Sequence, residues 1–187
     1  FEEAVKRHKP MTDETTLQTI AWLKQEVLHK RPRSLRLVFY GGEPFLNPAP
    51  ILEISDEMNK WCKDRQVRFS FGVITNGSLL NTALLGELKA VGLTNIRVTL
   101  DGTAQMHDKR RPFRNGHGTF DMIMKNIIAV ADIVRVDIGG NFDRANLPDL
   151  YRLLDVLEAN GLAKKIGTLM FAPVIRAHSR APSEFIS

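Results

Sequence analysis

Five short runs rich in β-branched and aromatic residues recur along this chain, and their rhythm constrains the fold more than any other feature. They cover residues 35–40, 68–75, 95–101, 133–141 and 166–173. Their starts are spaced by about the 30 residues that one β-α-β unit occupies. Each run reads as a strand covered on both faces. Helical patterns fill the gaps. Thr12 reads as an N-cap, with Asp13 and Glu14 in the first turn, where the helix dipole favours acids. Leu17, Ile20, Ala21, Lys24 and Leu28 fall on one stripe of that helix. A less regular helix spans 47–65, with Pro48 and Pro50 confined to its first turn. A third helix spans 79–91 and stops at Gly92. Phe120, Ile123, Ile127 and Val130 line one face of a fourth. Asn146 reads as the cap of a fifth, whose stripe is Leu147, Leu150, Leu154 and Leu157. This alternation predicts an α/β fold with a parallel sheet and right-handed crossovers. Two architectures satisfy it: an open doubly wound sheet, or part of a barrel.

The 187 residues suit a single domain. No apolar run approaches the ~20 residues that span a bilayer. The first residues, "FEEAVKRHKP", are charged and carry no signal-peptide core, and no initiator Met is present. A fragment of a longer cytoplasmic protein is therefore expected. Lys plus Arg number 26 against 21 Asp plus Glu, a net charge of +5. That excess permits an anionic partner without demanding nucleic acid. The one cysteine, Cys62, excludes an internal disulfide framework and a cysteine-built metal cluster within this chain. It lies beside Trp61 and reads as core. The histidines, His8, His29, His107, His117 and His178, show no metal-ligand spacing.

In both architectures the chemistry sits at the carboxyl ends of the strands. The first strand is followed by Gly41-Gly42-Glu43-Pro44, the second by Asn76-Gly77. Thr99, Leu100, Asp101 and Gly102 close the third, before a basic loop, "TAQMHDKRRPFRNGHG". Gly139, Gly140 and Asn141 close the fourth, and Phe171, Ala172 and Pro173 the fifth. Gly41 and Gly42 bare the backbone, either for a tight βα turn or for a ligand. Glu43 can accept from an amine. The Thr75-Asn76-Gly77 stretch reads first as a turn. Thr99 and Asp101 flank a leucine and project to one face, unless Asp101 caps the next turn. The basic run Lys109, Arg110, Arg111 and Arg114 reads as a solvated face, although one arginine can fork onto a carboxylate or phosphate. "NGHGT" imitates a phosphate-cradling turn and reads as a structural loop.

Taken in series, "FYGGEPFLN", "ITNGSLL", "VTLDGTAQMHDKRRPFRNGHGTFDMIMKNI" and "NFDRANLPDLYRLLDVL" resemble the radical S-adenosylmethionine (radical SAM) superfamily. They are similar in particular to its peptide and protein maturases, among them the anaerobic sulfatase-maturating enzymes. The similarity runs from about Phe1 to about Phe171, in order. It implies a partial (β/α)6 barrel whose first strand is missing, so that residues 1–187 form one truncated core domain. The cluster motif C-x3-C-x2-C would lie just upstream, and any SPASM or Twitch region downstream. It implies two cofactors, S-adenosylmethionine and a [4Fe–4S] cluster, with no metal ligand in this chain. Reductive cleavage of S-adenosylmethionine would yield a 5′-deoxyadenosyl radical that takes hydrogen from a peptide or protein, and the chain alone would be inactive. A reductant such as flavodoxin or ferredoxin is implied as partner. The cofactor-binding residues implied are Gly41, Gly42 and Glu43 around the amine, Thr99 before "LDG", Arg111 for the carboxylate, Asn141 at its strand end, and Leu169 against the adenine.

Two rival readings remain. One is a phosphate-binding α/β-barrel enzyme built on the "NGHGT" loop. The other is a non-catalytic module that uses residues 109–114 to hold an acidic partner. A missing first strand would also bare a sheet edge and invite self-association.

Overall fold

The computed structural model describes residues 10–174. Five parallel strands form one sheet: β1 (Ser34–Phe39), β2 (Arg68–Thr75), β3 (Leu93–Thr99), β4 (Arg135–Phe142) and β5 (Ile166–Pro173). The helices are α1 (Asp13–Lys30), α2 (Ala49–Lys63), α3 (Thr82–Ala90), α4 (Ala104–Arg110), α5 (Phe120–Val130) and α6 (Leu147–Ala159), with a 3-10 turn at Pro44–Leu46.

The strands lie in the order β1-β2-β3-β4-β5. That order decides between the two architectures. Successive right-handed crossovers that always step the same way put every helix on one face of the sheet. A doubly wound sheet reverses its direction and is covered on both faces. This sheet instead wraps as part of an α/β barrel, with its helices outside.

The strand side chains sort accordingly. Phe71, Val73, Ile96, Val98, Val136 and Ile138 belong to the core beneath the helices and are at most 1% exposed. The residues beside them, Arg36, Ser70, Asn95, Arg97, Arg135 and Asp137, take the other face by alternation, which a register shift at the start of β3 interrupts. This corrects the expectation of strands covered on both sides. No described helix covers the inner face, and it is polar at these positions, with Ile74 and Met170 as apolar members. Among the described strands, β1 and β5 are edges, and Val38 and Met170 are half exposed.

Helix faces shift slightly from the sequence pattern. On α1 the buried residues are Thr16, Ile20, Leu23 and Val27, while Leu17 and Leu28 are exposed. A threonine can take the inward place because its hydroxyl donates to the Thr12 carbonyl at 3.0 Å and leaves no orphan. Ile20 and Leu23 then pack with Ile54, Met58 and Cys62 of α2. The Thr12 cap is present, accepting from the Thr15 amide. α3 starts at Thr82 rather than 79, because Asn81 accepts the Leu84 amide at 2.9 Å and sets the boundary. α4 lies inside the segment expected to be a basic loop.

Candidate functional site

The carboxyl ends of β1 to β4 form one rim, and side chains from neighbouring strand ends brace it. At β1 the chain turns through Gly41 (φ 119°) and Gly42 (φ 51°). No heavy atom lies within 4 Å of where a Cβ would sit on either. The glycines answer a backbone requirement, not a crowded space, and the exposed main chain stays open to approach. Glu43 ties this turn to β2. Its Oε1 accepts the Thr75 hydroxyl at 2.7 Å and the Phe45 amide at 3.2 Å, and its Oε2 accepts the Asn76 amide at 2.7 Å. Three of about four carboxylate lone-pair positions are therefore filled by protein. The turn expected there is present as an Asx turn, in which Asn76 Oδ1 accepts the Ser78 amide at 2.8 Å.

The second half of the rim centres on Asp101, which is 3% exposed. Its Oδ2 accepts Arg111 Nε at 2.6 Å, and its Oδ1 accepts the Asn141 amide at 2.7 Å. Asp101 is thus a brace between β3 and β4, and one edge of the Arg111 guanidinium is already spent on it. Asn146 is fully buried and completes the joint. Its Nδ2 donates to the carbonyls of Asp101 (2.8 Å) and Asn141 (2.9 Å), and its Oδ1 accepts the Asp143 amide at 2.8 Å. It makes no side-chain cap to α6, contrary to the sequence reading. Arg110 pairs with Asp143 at 2.6 Å. That guanidinium, with the amides of Ala145 and Asn146, holds the Asp143 carboxyl below its usual range. Asp149 accepts the amide and hydroxyl of Thr103, fixing the turn after β3.

Behind the rim, His107 of α4 is fully buried. The Asp101 amide donates to its Nδ1 at 3.2 Å, so the ring proton resides on Nε2 and points to Thr119 Oγ1 at 3.1 Å. Thr119 in turn donates to the Arg111 carbonyl at 2.7 Å. Burial lowers the imidazole pKa, against the pull of Asp101. The ring is a neutral spacer, consistent with its reading as a non-ligand.

The "NGHGT" loop is structural. Asp108 Oδ1 already accepts the Thr119 and Phe120 amides at 2.7 and 2.8 Å, filling the start of α5 with a carboxylate. An arriving phosphate would meet that charge. The basic run is likewise partly consumed: Arg110 and Arg111 hold aspartates, while Lys109 and Arg114 are exposed.

Of the residues expected at the cofactor, Gly41, Gly42 and Glu43 share the β1 end, while Thr99, Arg111 and Asn141 gather at β3 and β4. Leu169 does not join them. Val136 pairs with Ile166, and Ile138 with Leu169, so two steps on β4 match three on β5. This bulge flips Leu169 to the helix side, where it lines an apolar groove with Phe142, Leu150 and Phe171. Met170, opposite Gly139, takes the inner position. Sequence reasoning missed Asn146, Asp108 and Asp149 as braces, since their partners lie on other elements.

The open glycine turn and the polar rim fit a cofactor bearing amine and carboxylate groups. The described residues do not fit an iron–sulfur cluster. No group of three metal-ligating side chains occurs among them, and the Cys62 thiol is buried, with its pKa raised. No helix among the described residues is long and apolar enough to cross a membrane.

Comparison with known proteins agrees with this geometry. The chain is 27% identical over 123 residues to Fe-coproporphyrin III synthase of Methanosarcina barkeri, covering 65% of this chain and 28% of that protein. It is 26% identical over 111 residues to a cysteine-type anaerobic sulfatase-maturating enzyme of Clostridium novyi, covering 59% and 29%. The chain thus spans less than a third of these curated relatives. Among solved structures, anSMEcpe with bound AdoMet and the Kp18Cys peptide superposes with a TM-score of 0.76 at 17% identity, over 95% of this chain and 47% of that one. At that identity the likeness speaks for the fold. Residues 4–157 match the family description of the Radical SAM superfamily. With most of its length inside that match, and with the barrel and rim that go with it, the chain belongs to the radical SAM superfamily.

Proposed function

We propose that this chain is the S-adenosylmethionine-binding core of a radical SAM enzyme that modifies a peptide or protein. One observation carries the reading: an open, braced rim brings the Gly41-Gly42 turn, Thr99, Arg111 and Asn141 to the same end of the sheet. The main chain at Gly41 and Gly42 receives the cofactor's ammonium, and Glu43 holds that turn in place. Thr99 and Asn141 offer side chains to the cofactor. Arg111, anchored through Nε on Asp101, turns its remaining N–H groups toward the carboxylate. When bound, the cofactor supplies a radical that removes hydrogen from the substrate. The cluster thiolates come from outside these 187 residues, since Cys62 is the single cysteine. A flavodoxin- or ferredoxin-like reductant and a cytoplasmic setting go with this reading.

Similarity to a sulfatase-maturating enzyme supports the peptide substrate. Similarity to the Fe-coproporphyrin III synthase of Methanosarcina barkeri favours a second reading, in which an iron porphyrin is the product. Equilibrium dialysis with labelled S-adenosylmethionine tests the site. Thr99→Val is expected to weaken binding about tenfold, the value of one hydrogen bond to a charged group. Leu169→Ala should leave it within about twofold, because that side chain lies on the opposite face. Equal effects of the two substitutions would refute the site. The β1 and β5 edges make self-association of this chain an expectation as well; a strictly monomeric mass by light scattering would remove it.

A further inference from the structure

The inner face of the sheet carries a layer of charge that the rim does not use. Arg36 donates to Asn95 Oδ1 at 2.6 Å and to Thr94 Oγ1 at 3.3 Å. Asn95 Nδ2 donates to Asp137 Oδ2 at 2.6 Å. Arg135 Nε donates to Asp137 Oδ1 at 3.1 Å, and another of its nitrogens to Thr168 Oγ1 at 2.7 Å. Both Asp137 oxygens are thereby occupied, and that residue is only 5% exposed.

Arg97 lies in the middle of this layer, opposite Ile74 on one side and Asp137 on the other. Its Nε is buried without a hydrogen-bond partner, and it enters no ion pair among the described residues. Space has been reserved for it. A Cβ at Gly139 would lie 2.9 Å from Arg97 Cδ, so the arginine stem crosses the strand where only glycine admits it. Gly72 and Gly167 make room in the same way for Asn95 and Arg135. An unpaired, partly buried guanidinium is unfavourable in itself. Here the stem is fixed and Nε has no hydrogen-bond partner among the described residues; Asp137, opposite it, has both oxygens taken by Asn95 and Arg135, and the face also carries Arg36.

We propose that Arg97 receives a carboxylate of the substrate, so that the substrate belongs to a carboxylate-bearing class. Arg97 and Thr99 share the inner face and stand two residues apart, about 7 Å along the strand. A carboxylate held at Arg97 would place the rest of the substrate beside the rim. This inference rests on the S-adenosylmethionine reading for its direction, but it can be measured without that cofactor.

The test uses the full, cluster-loaded protein under anaerobic conditions, as wild type, Arg97→Met and Arg97→Lys. Methionine keeps an unbranched stem over Gly139 and removes the guanidinium with its charge and donors; equal urea midpoints check the fold. The probes are two matched pairs: a tetracarboxylate porphyrin with its tetraamide, and a glutamate-containing peptide with its glutamine counterpart. Dissociation constants come from porphyrin absorbance and peptide anisotropy, without S-adenosylmethionine. In one pair the acid should bind at least about tenfold tighter than its amide. Arg97→Met should abolish that margin, and Arg97→Lys should retain part of it. The pair that shows the margin identifies the source of the carboxylate. No margin in either pair, or a margin that survives Arg97→Met, overturns the proposal. A fall in S-adenosylmethionine affinity in Arg97→Met, with no probe margin, would assign the arginine to the cofactor's carboxylate and likewise overturn it. Wild type that fails to bind S-adenosylmethionine at all would sink the cofactor reading instead, a separate result.

Discussion

Replacing Asn146 by alanine separates two roles for one residue. As a helix cap, it would contribute about 1 kcal/mol. The structure gives it no capping bond, and instead three bonds to main-chain groups of residues 101, 141 and 143. Alanine would strip all three of their partner at a fully buried position. Each buried polar group left unsatisfied costs about 1–3 kcal/mol. Water entering the vacated space recovers part of that. The expected loss is therefore about 3–5 kcal/mol, a large fraction of the ~5–15 kcal/mol that holds a domain together. Urea unfolding followed by circular dichroism measures it. Asn146→Asp sharpens the test. Aspartate caps helices as well as asparagine does, yet here it would set an oxygen against the carbonyls of Asp101 and Asn141. It should be at least as destabilising as alanine. A loss near 1 kcal/mol in Asn146→Ala, recovered in Asn146→Asp, would refute the bracing role and restore the cap.

Other substitutions probe the same frame. Asp108→Ala removes the acceptor for two amides at the start of α5 and should cost about 1–2 kcal/mol in a thermal melt; an unchanged melting temperature would contradict it. Gly42→Ala meets no neighbour but keeps a left-handed backbone, costing about 1 kcal/mol. Gly41→Ala, at φ 119°, should cost more, about 1–3 kcal/mol, and the reverse order in urea midpoints would sink the argument. His107 makes stability depend on pH. Its pKa in the folded chain lies below the ordinary value of 6.5, so the unfolded chain takes up the proton first. The contribution is whole above pH 6.5 and is lost as pH falls from there through the folded value. Midpoints measured from pH 7.5 down to 5 should slope less in His107→Leu than in wild type, and parallel slopes would exclude the histidine as the cause.

Periodicity made the sheet legible. The bounds of β2 and β5 agree with the runs read from sequence, and the other strands begin or end within one or two residues of theirs. Whether the sheet opens or wraps was not legible, because strand order is a tertiary fact. Faces were legible only where the period ran undisturbed. Thr16 satisfied its own hydroxyl and took an inward place that the pattern had assigned to Leu17. One extra residue in β5 sent Leu169 to the opposite side; Gly167 inside the run is a local signal for such a bulge, but a glycine alone does not fix the register beyond it. α4 escaped notice because seven residues, AQMHDKR, offer no apolar stripe and end in charge. Positions on the rim were readable because strand ends are. The braces were not: Asp101 meets Asn141, and Asn146 meets Asp101, across 40 and 45 residues of chain.

The braces also explain how the rim stays open. At the end of a parallel sheet the main chain runs out of strand partners, and collapse or capping would normally follow. Here carboxylates and an amide replace those partners: Glu43 joins β1 to β2, while Asp101 and Asn146 join β3 to β4. Asn141 is gripped entirely through its amide and carbonyl, so its position does not depend on its side chain. Asn141→Ala keeps both of those bonds and should change stability by no more than about 0.5 kcal/mol, as exposed substitutions do. Its effect should fall on S-adenosylmethionine affinity. Asn146→Ala should show the inverse order, with a large loss of stability. A stability loss in Asn141→Ala as large as that in Asn146→Ala would mean that the side chain, not the main chain, is what the rim holds.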